Sequence, residues 1–126
     1  MVNIEKQIAY WRKGAEEERS LSAELFESGR TRHGLFFLHL SLEKLIKAHV
    51  CKKTGDIPPK SHNLLRLAEL AGLDVSQYDS AFLGELSLFN IEGRYPNLYD
   101  ELPPVQDVQR IKKETERIYL WLLNQL

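Results

Sequence analysis

The sequence predicts an all-α fold, an antiparallel up-and-down bundle of about five helices. Three observations carry this. Apolar residues recur at spacings of three and four through most of the chain. No strand-like alternation persists anywhere. Glycine and proline interrupt the periodic stretches at short intervals, so the connections are short. A length of 126 residues predicts a single domain over 1–126. With 43% hydrophobic residues, such a chain can bury roughly two-thirds of its unfolded surface.

The first helix carries Ile4, Ile8, Trp11 and Ala15, with Leu25 and Phe26 extending the stripe past the polar run Glu16-Glu17-Glu18. Gly29 is expected to end it. The second helix has a seam of Leu35, Leu38, Leu42 and Leu45, widened by Phe36, Phe37, Ile46 and Val50. A helix apolar on several sides belongs at the centre of the fold. It is expected to stop near Thr54-Gly55, before the rigid Pro58-Pro59 pair.

Ser61 or His62 is expected to open a short third helix with Leu64, Leu67, Ala68 and Ala71, ended by Gly72. Ser76-Gln77-Tyr78-Asp79 has the capping-box pattern, in which hydroxyl and carboxylate satisfy early backbone amides. A fourth helix is predicted to carry Tyr78, Phe82, Leu86 and Phe89 up to Gly93. A polar, proline-punctuated loop follows. Pro104 suits the first turn of a last helix, whose buried side is Val105, Val108, Ile111, Ile118 and Leu122.

Seventeen basic residues against eighteen acidic ones give no global positive field. Any nucleic-acid or phosphate site must therefore be a local patch. A single cysteine, Cys51, and a start without an apolar signal core fit a soluble, cytoplasmic protein. No apolar run is long enough to span a bilayer. Cys51 beside Val50 reads as packing. The histidines His33, His39, His49 and His62 show no metal-ligand spacing with Cys51, and no metal or cofactor is expected. A P-loop, a dinucleotide glycine fingerprint and a serine-nucleophile elbow are absent.

Four local patterns could carry chemistry. Glu92-Gly93-Arg94-Tyr95-Pro96 stands where the fourth helical pattern stops. Gly93 can end a helix, and Pro96 pushes Tyr95 into extended backbone. The Arg94 guanidinium then suits a phosphate, or else it pairs with Glu92 or caps carbonyls at the helix end while Tyr95 packs. His39, Glu43 and Lys47 share one helix face. Glu43 before Lys47 gives an ordinary exposed ion pair worth ~0.2–0.5 kcal/mol, or the floor of a polar groove with Lys44 and Lys47 available to phosphate. Arg30-Thr31-Arg32 and His33 sit at a helix start, where an anion or plain solvent is expected. His62, fixed by the diproline, could cap, bind or act as a general base.

Taken in order, Gly29-Arg30, Glu43-Lys44-Leu45-Ile46-Lys47-Ala48, Pro58-Pro59-Lys60-Ser61-His62-Asn63-Leu64 and Arg94-Tyr95-Pro96 resemble the HEPN domain, the higher eukaryotes and prokaryotes nucleotide-binding domain. The resemblance runs over roughly residues 5–125. It implies an antiparallel helical bundle that forms a homodimer, with a nucleotide- or RNA-phosphate-binding cleft. It also implies a minimal nucleotidyltransferase as partner, in a complex or a toxin–antitoxin pair. On a nucleotide-binding reading Arg94 would hold the phosphate, Lys44 and Lys47 would add charge, Tyr95 would stack on a base, and Glu43 and His62 would orient those groups. Many members are metal-independent ribonucleases whose motif is an Arg followed by a His. Arg94 matches the Arg, but Tyr95-Pro96-Asn97-Leu98-Tyr99-Asp100-Glu101 contains no His. The tyrosine that some members carry two residues beyond that His is not matched either: if Tyr99 stands where the His would be, Glu101 occupies that position. The sequence thus points to a non-catalytic nucleotide-binding module. The alternatives are a ribonuclease using His62 or His39, and a helical adaptor or dimerisation module.

Overall fold

The computed structural model describes residues 2–74, 76, 80–90 and 102–126. Among these the fold is all-α, with α1 Ile4–Glu27, α2 Thr31–Thr54, α3 Leu64–Leu70, α4 Ser80–Ser87 and α5 Val105–Asn124. The expected roles of Gln77, Tyr78 and Asp79, and of Gly93 through Glu101, lie outside the described residues.

Asn3 starts α1 by accepting the Lys6 amide on its side chain at 3.1 Å, as an N-cap should. Gly55 ends α2 at φ +70, with its amide bonded to the Cys51 carbonyl at 2.9 Å. Only glycine adopts that left-handed conformation without steric cost.

Contacts between α1 and α2 fix their register. Phe26 meets Gly34, Glu18 meets Lys44, and Trp11 meets Lys47. Residue numbers fall along one helix as they rise along the other, so the pair is an antiparallel hairpin. Helix α5 runs opposite to α1 as well: Lys112 covers Phe26, and Arg19 reaches Glu116 and Tyr119. It docks against the end of α2 through His49 Nε2, which donates to the Leu122 carbonyl at 2.8 Å, and through Lys52 Nζ, which donates to the Gln125 carbonyl at 2.9 Å.

Helix α2 is the central element, as its many-sided apolar pattern predicts. Leu35, Leu42 and Leu45 are fully buried in a core completed by Leu64, Leu67, Leu86, Ile111, Ile118 and Leu122, and Ala48 and Cys51 are fully buried as well. Each such leucine or isoleucine contributes about 1.5–3 kcal/mol by burial. Among the described residues no helix is long and apolar enough to cross a membrane.

Three sequence expectations are corrected. Helix α3 starts at Leu64, not Ser61 or His62, because the Asn63 side chain accepts the Arg66 amide and caps it. Helix α4 stops at Ser87. Phe89 lies beyond it, in a turn closed by its amide on the Leu86 carbonyl. Val105 is 75% exposed: it occupies the first turn of α5, and Val108 is the first residue to reach the core.

Candidate functional site

The helical spacing of His39, Glu43 and Lys47 points all three the same way, and tertiary packing covers them. Their side chains are 0%, 3% and 6% exposed. Glu43 Oε2 receives Lys47 Nζ at 3.1 Å. The pair is therefore not the weak exposed one the spacing suggests. Removing one partner would leave the other charge buried without compensation. Lys47 Nζ also lies 5.2 Å from the centre of the Trp11 ring on α1, a cation–π contact inside a desolvated site.

His62 joins this cluster from the α2–α3 connection. Its Nδ1 lies 3.0 Å from Glu43 Oε1 and 3.2 Å from Oε2. An ionised carboxylate can only accept, so Nδ1 carries the proton toward Glu43. The His62 ring is 42% exposed while the carboxylate beneath it is buried.

The backbone around His62 is also held. His39 Nε2 is 3.3 Å from the His62 carbonyl and 3.7 Å from Glu43 Oε1, so its hydrogen bond goes to the carbonyl. Ser61 Oγ accepts the Asn63 amide at 3.1 Å. Ser87 Oγ accepts the Leu64 amide at 3.3 Å. This last bond ties the end of α4 to the α3 start, two residues from His62. The chain runs on from Ser87 and Asn90 into the segment that contains Arg94.

The structure thus brings together Glu43, Lys47 and His62 of the residues singled out from sequence. Lys44 does not join them. It pairs with Glu18 at 2.9 Å, and its stem lies across Gly14, where a Cβ would meet Lys44 Cδ at 3.1 Å. Both lysines proposed as phosphate contacts are thus engaged by carboxylates. Arg94 and Tyr95 lie outside the described residues. Arg30, at the N-cap of α2, makes no side-chain capping bond. It stands roughly 20 Å along the helix from Glu43.

Two contributors were not read from sequence. Trp11 appeared only as a member of an apolar stripe, and the signal for its second role was the hairpin register, which pairs position 11 with position 47. His49 appeared only as a poor metal candidate. Burial pushes its imidazole below the ordinary value; the bond to the Leu122 carbonyl works against that shift and the nearby Lys52 charge adds to it. Cys51 is fully buried, and burial raises its thiol, in keeping with packing and not with a nucleophile. Among the described residues no group of three His, Cys, Asp or Glu side chains is arranged to hold a metal ion.

Fold and site together define a class: an all-α bundle whose central helix buries a carboxylate that orients an imidazole at a helix-loop junction. The chain belongs to the HEPN domain family, whose model matches residues 8–126. No curated protein and no solved structure matches the chain.

Proposed function

We propose that this chain is a nucleotide- and phosphate-binding HEPN module, not itself catalytic. It works as a cytoplasmic homodimer with a separate minimal nucleotidyltransferase subunit, in a two-subunit or toxin–antitoxin-like system. The observation that carries the reading is the Glu43–His62 contact at 3.0 Å. It supplies an oriented ring on the α2–α3 connection, which is bonded to Ser87 of α4 through the Leu64 amide. In this reading the Arg94 fork holds the phosphate and Tyr95 stacks on the base. His62 contributes a hydrogen bond, Glu43 and Lys47 fix its orientation, and Lys44, paired with Glu18, lines the neighbouring cleft. The absence of a His after Arg94 in the sequence is the reason to expect binding without cleavage.

Calorimetric titration with nucleoside mono- and triphosphates tests this. Binding is expected for the wild type and is expected to weaken at least about tenfold in Arg94→Ala, as loss of a charge-assisted contact requires. Unchanged affinity in that variant, or no binding at all, would sink the proposal. Copurification with the product of a neighbouring nucleotidyltransferase gene tests the partner.

One observation favours a second reading, a metal-independent ribonuclease. A carboxylate holding Nδ1 of a partly exposed imidazole is the arrangement used to orient a general base. Cleavage of long RNA by the wild type and not by His62→Gln would replace the first reading with this one.

A further inference from the structure

We infer that the cleft beside Trp11, between α1 and α2, is a nucleobase subsite next to the Glu43–Lys47–His62 cluster. The inference rests on the nucleotide-binding reading above and adds to it the place of the base. The cleft has a volume of about 240 Å³ and is lined by Tyr10, Trp11, Lys13, Gly14, Glu17 and Lys44. Pockets that bury a whole drug-sized ligand measure about 300–1,000 Å³. This cleft therefore takes a fragment, and the rest of the ligand must lie elsewhere.

Charge decides which fragment. Lys13 and Lys44 provide two cations; Glu17 on the rim and Glu18, bonded to Lys44 at 2.9 Å, provide two anions. A balanced set of this kind gives a phosphate no net attraction. It does supply donors and acceptors for a neutral heterocycle with amino and carbonyl groups. The walls suit an aromatic guest. Tyr10 is 66% exposed and meets Trp11 edge-on, with ring centres 5.1 Å apart. The Trp11 Nε1–H is buried and has no acceptor among the described residues. Gly14 keeps the cleft open, because a side chain there would press on the Lys44 stem at 3.1 Å.

Trp11 is also the wall shared with the cluster. Lys47 Nζ lies 5.2 Å from its ring centre and 3.1 Å from Glu43 Oε2, and His62 stands against the same carboxylate. The base that enters the cleft then belongs either to a mononucleotide or to one unit of a single RNA strand.

The test uses the full chain carrying Trp121→Phe, so that Trp11 is the only tryptophan. Adenosine 5′-monophosphate, an adenosine trinucleotide and ribose 5-phosphate are titrated by calorimetry and tryptophan fluorescence. Both base-containing ligands are expected to quench Trp11, while ribose 5-phosphate binds without quenching. Tyr10→Ala, at an exposed position, is expected to weaken the base-containing ligands by at least about fivefold, the lower range for loss of one stacked base. Ribose 5-phosphate affinity should not change. Lys13→Gln should act in the same direction. Tighter binding of the trinucleotide would identify an RNA strand as the ligand, and equal binding a mononucleotide; both support the subsite. Equal affinity of adenosine monophosphate and ribose 5-phosphate, with no response to Tyr10→Ala, would overturn the subsite and leave the phosphate-binding reading standing. No binding of any of the three would overturn both.

Discussion

His62 Nδ1 stands 3.0 Å from Glu43 Oε1, although 19 positions of chain separate the two residues. The carboxylate is 3% exposed and the ring 42%. One atom pair therefore joins the buried centre of α2 to the solvent-facing edge of the α2–α3 connection. Lys47 holds the other side of the same carboxylate at 3.1 Å.

Glu43→Ala removes the acceptor for both groups and leaves the Lys47 ammonium buried without a partner. Breaking a buried ion pair from one side costs about 3–5 kcal/mol. Urea unfolding should show a loss of that order. The double variant Glu43→Leu with Lys47→Met should recover much of it, because the uncompensated charge is gone. Additive losses in the double variant would mean that the pair is not coupled as its geometry requires.

His49 sets a pH dependence. Burial lowers its folded-state pKa, so the unfolded chain binds the proton more readily than the folded one. The contribution is fully present above the unfolded value of about 6.5. It is lost as the pH falls from there through the lowered folded-state value. Unfolding measured from pH 8 to 5 should show stability declining below about pH 6.5. His49→Gln, which retains a donor for the Leu122 carbonyl, should flatten that decline.

Two glycines should respond in opposite directions to alanine. A Cβ on Gly34 would stand 2.8 Å from Phe26 Cδ1 and 3.0 Å from its Cγ. The whole ring would have to move, at an overpacking cost of about 1–3 kcal/mol that outweighs the helix-propensity gain. Gly84, inside α4, has nothing within 4 Å of its would-be Cβ. Gly84→Ala should stabilise by up to about 1 kcal/mol. Thermal melts of the two variants check the pair, which should separate to either side of the wild type.

Tyr119 is 1% exposed, and its hydroxyl has no hydrogen-bond partner among the described residues. An unsatisfied buried polar group costs about 1–3 kcal/mol. Tyr119→Phe keeps the ring under Arg19, whose guanidinium carbon lies 4.7 Å from its centre. It should therefore raise the stability. A clear loss on denaturant unfolding would show that the hydroxyl has a partner after all.

By itself the sequence determined the helices and most of their buried faces. The leucine seam of α2 and the stripe Val108, Ile111, Ile118 and Leu122 of α5 follow from the 3.6-residue period, which belongs to the backbone and needs no neighbour. It also put His39, Glu43 and Lys47 on one face. What stood opposite that face was not legible, and with it the value of the Glu43–Lys47 pair. Lys44 and Lys47 are the same residue type three positions apart. One crosses Gly14 to Glu18, and the other is enclosed between Glu43 and Trp11. The register of the α1–α2 hairpin decides which α1 residues each one meets. The meeting of His62 with Glu43 likewise depends on how the α2–α3 connection folds back, guided by the Asn63 cap and the Ser87–Leu64 bond. Periodicity fixes the direction in which a side chain leaves its helix. The partner it meets there, and whether water reaches it, is set by other elements of the tertiary structure.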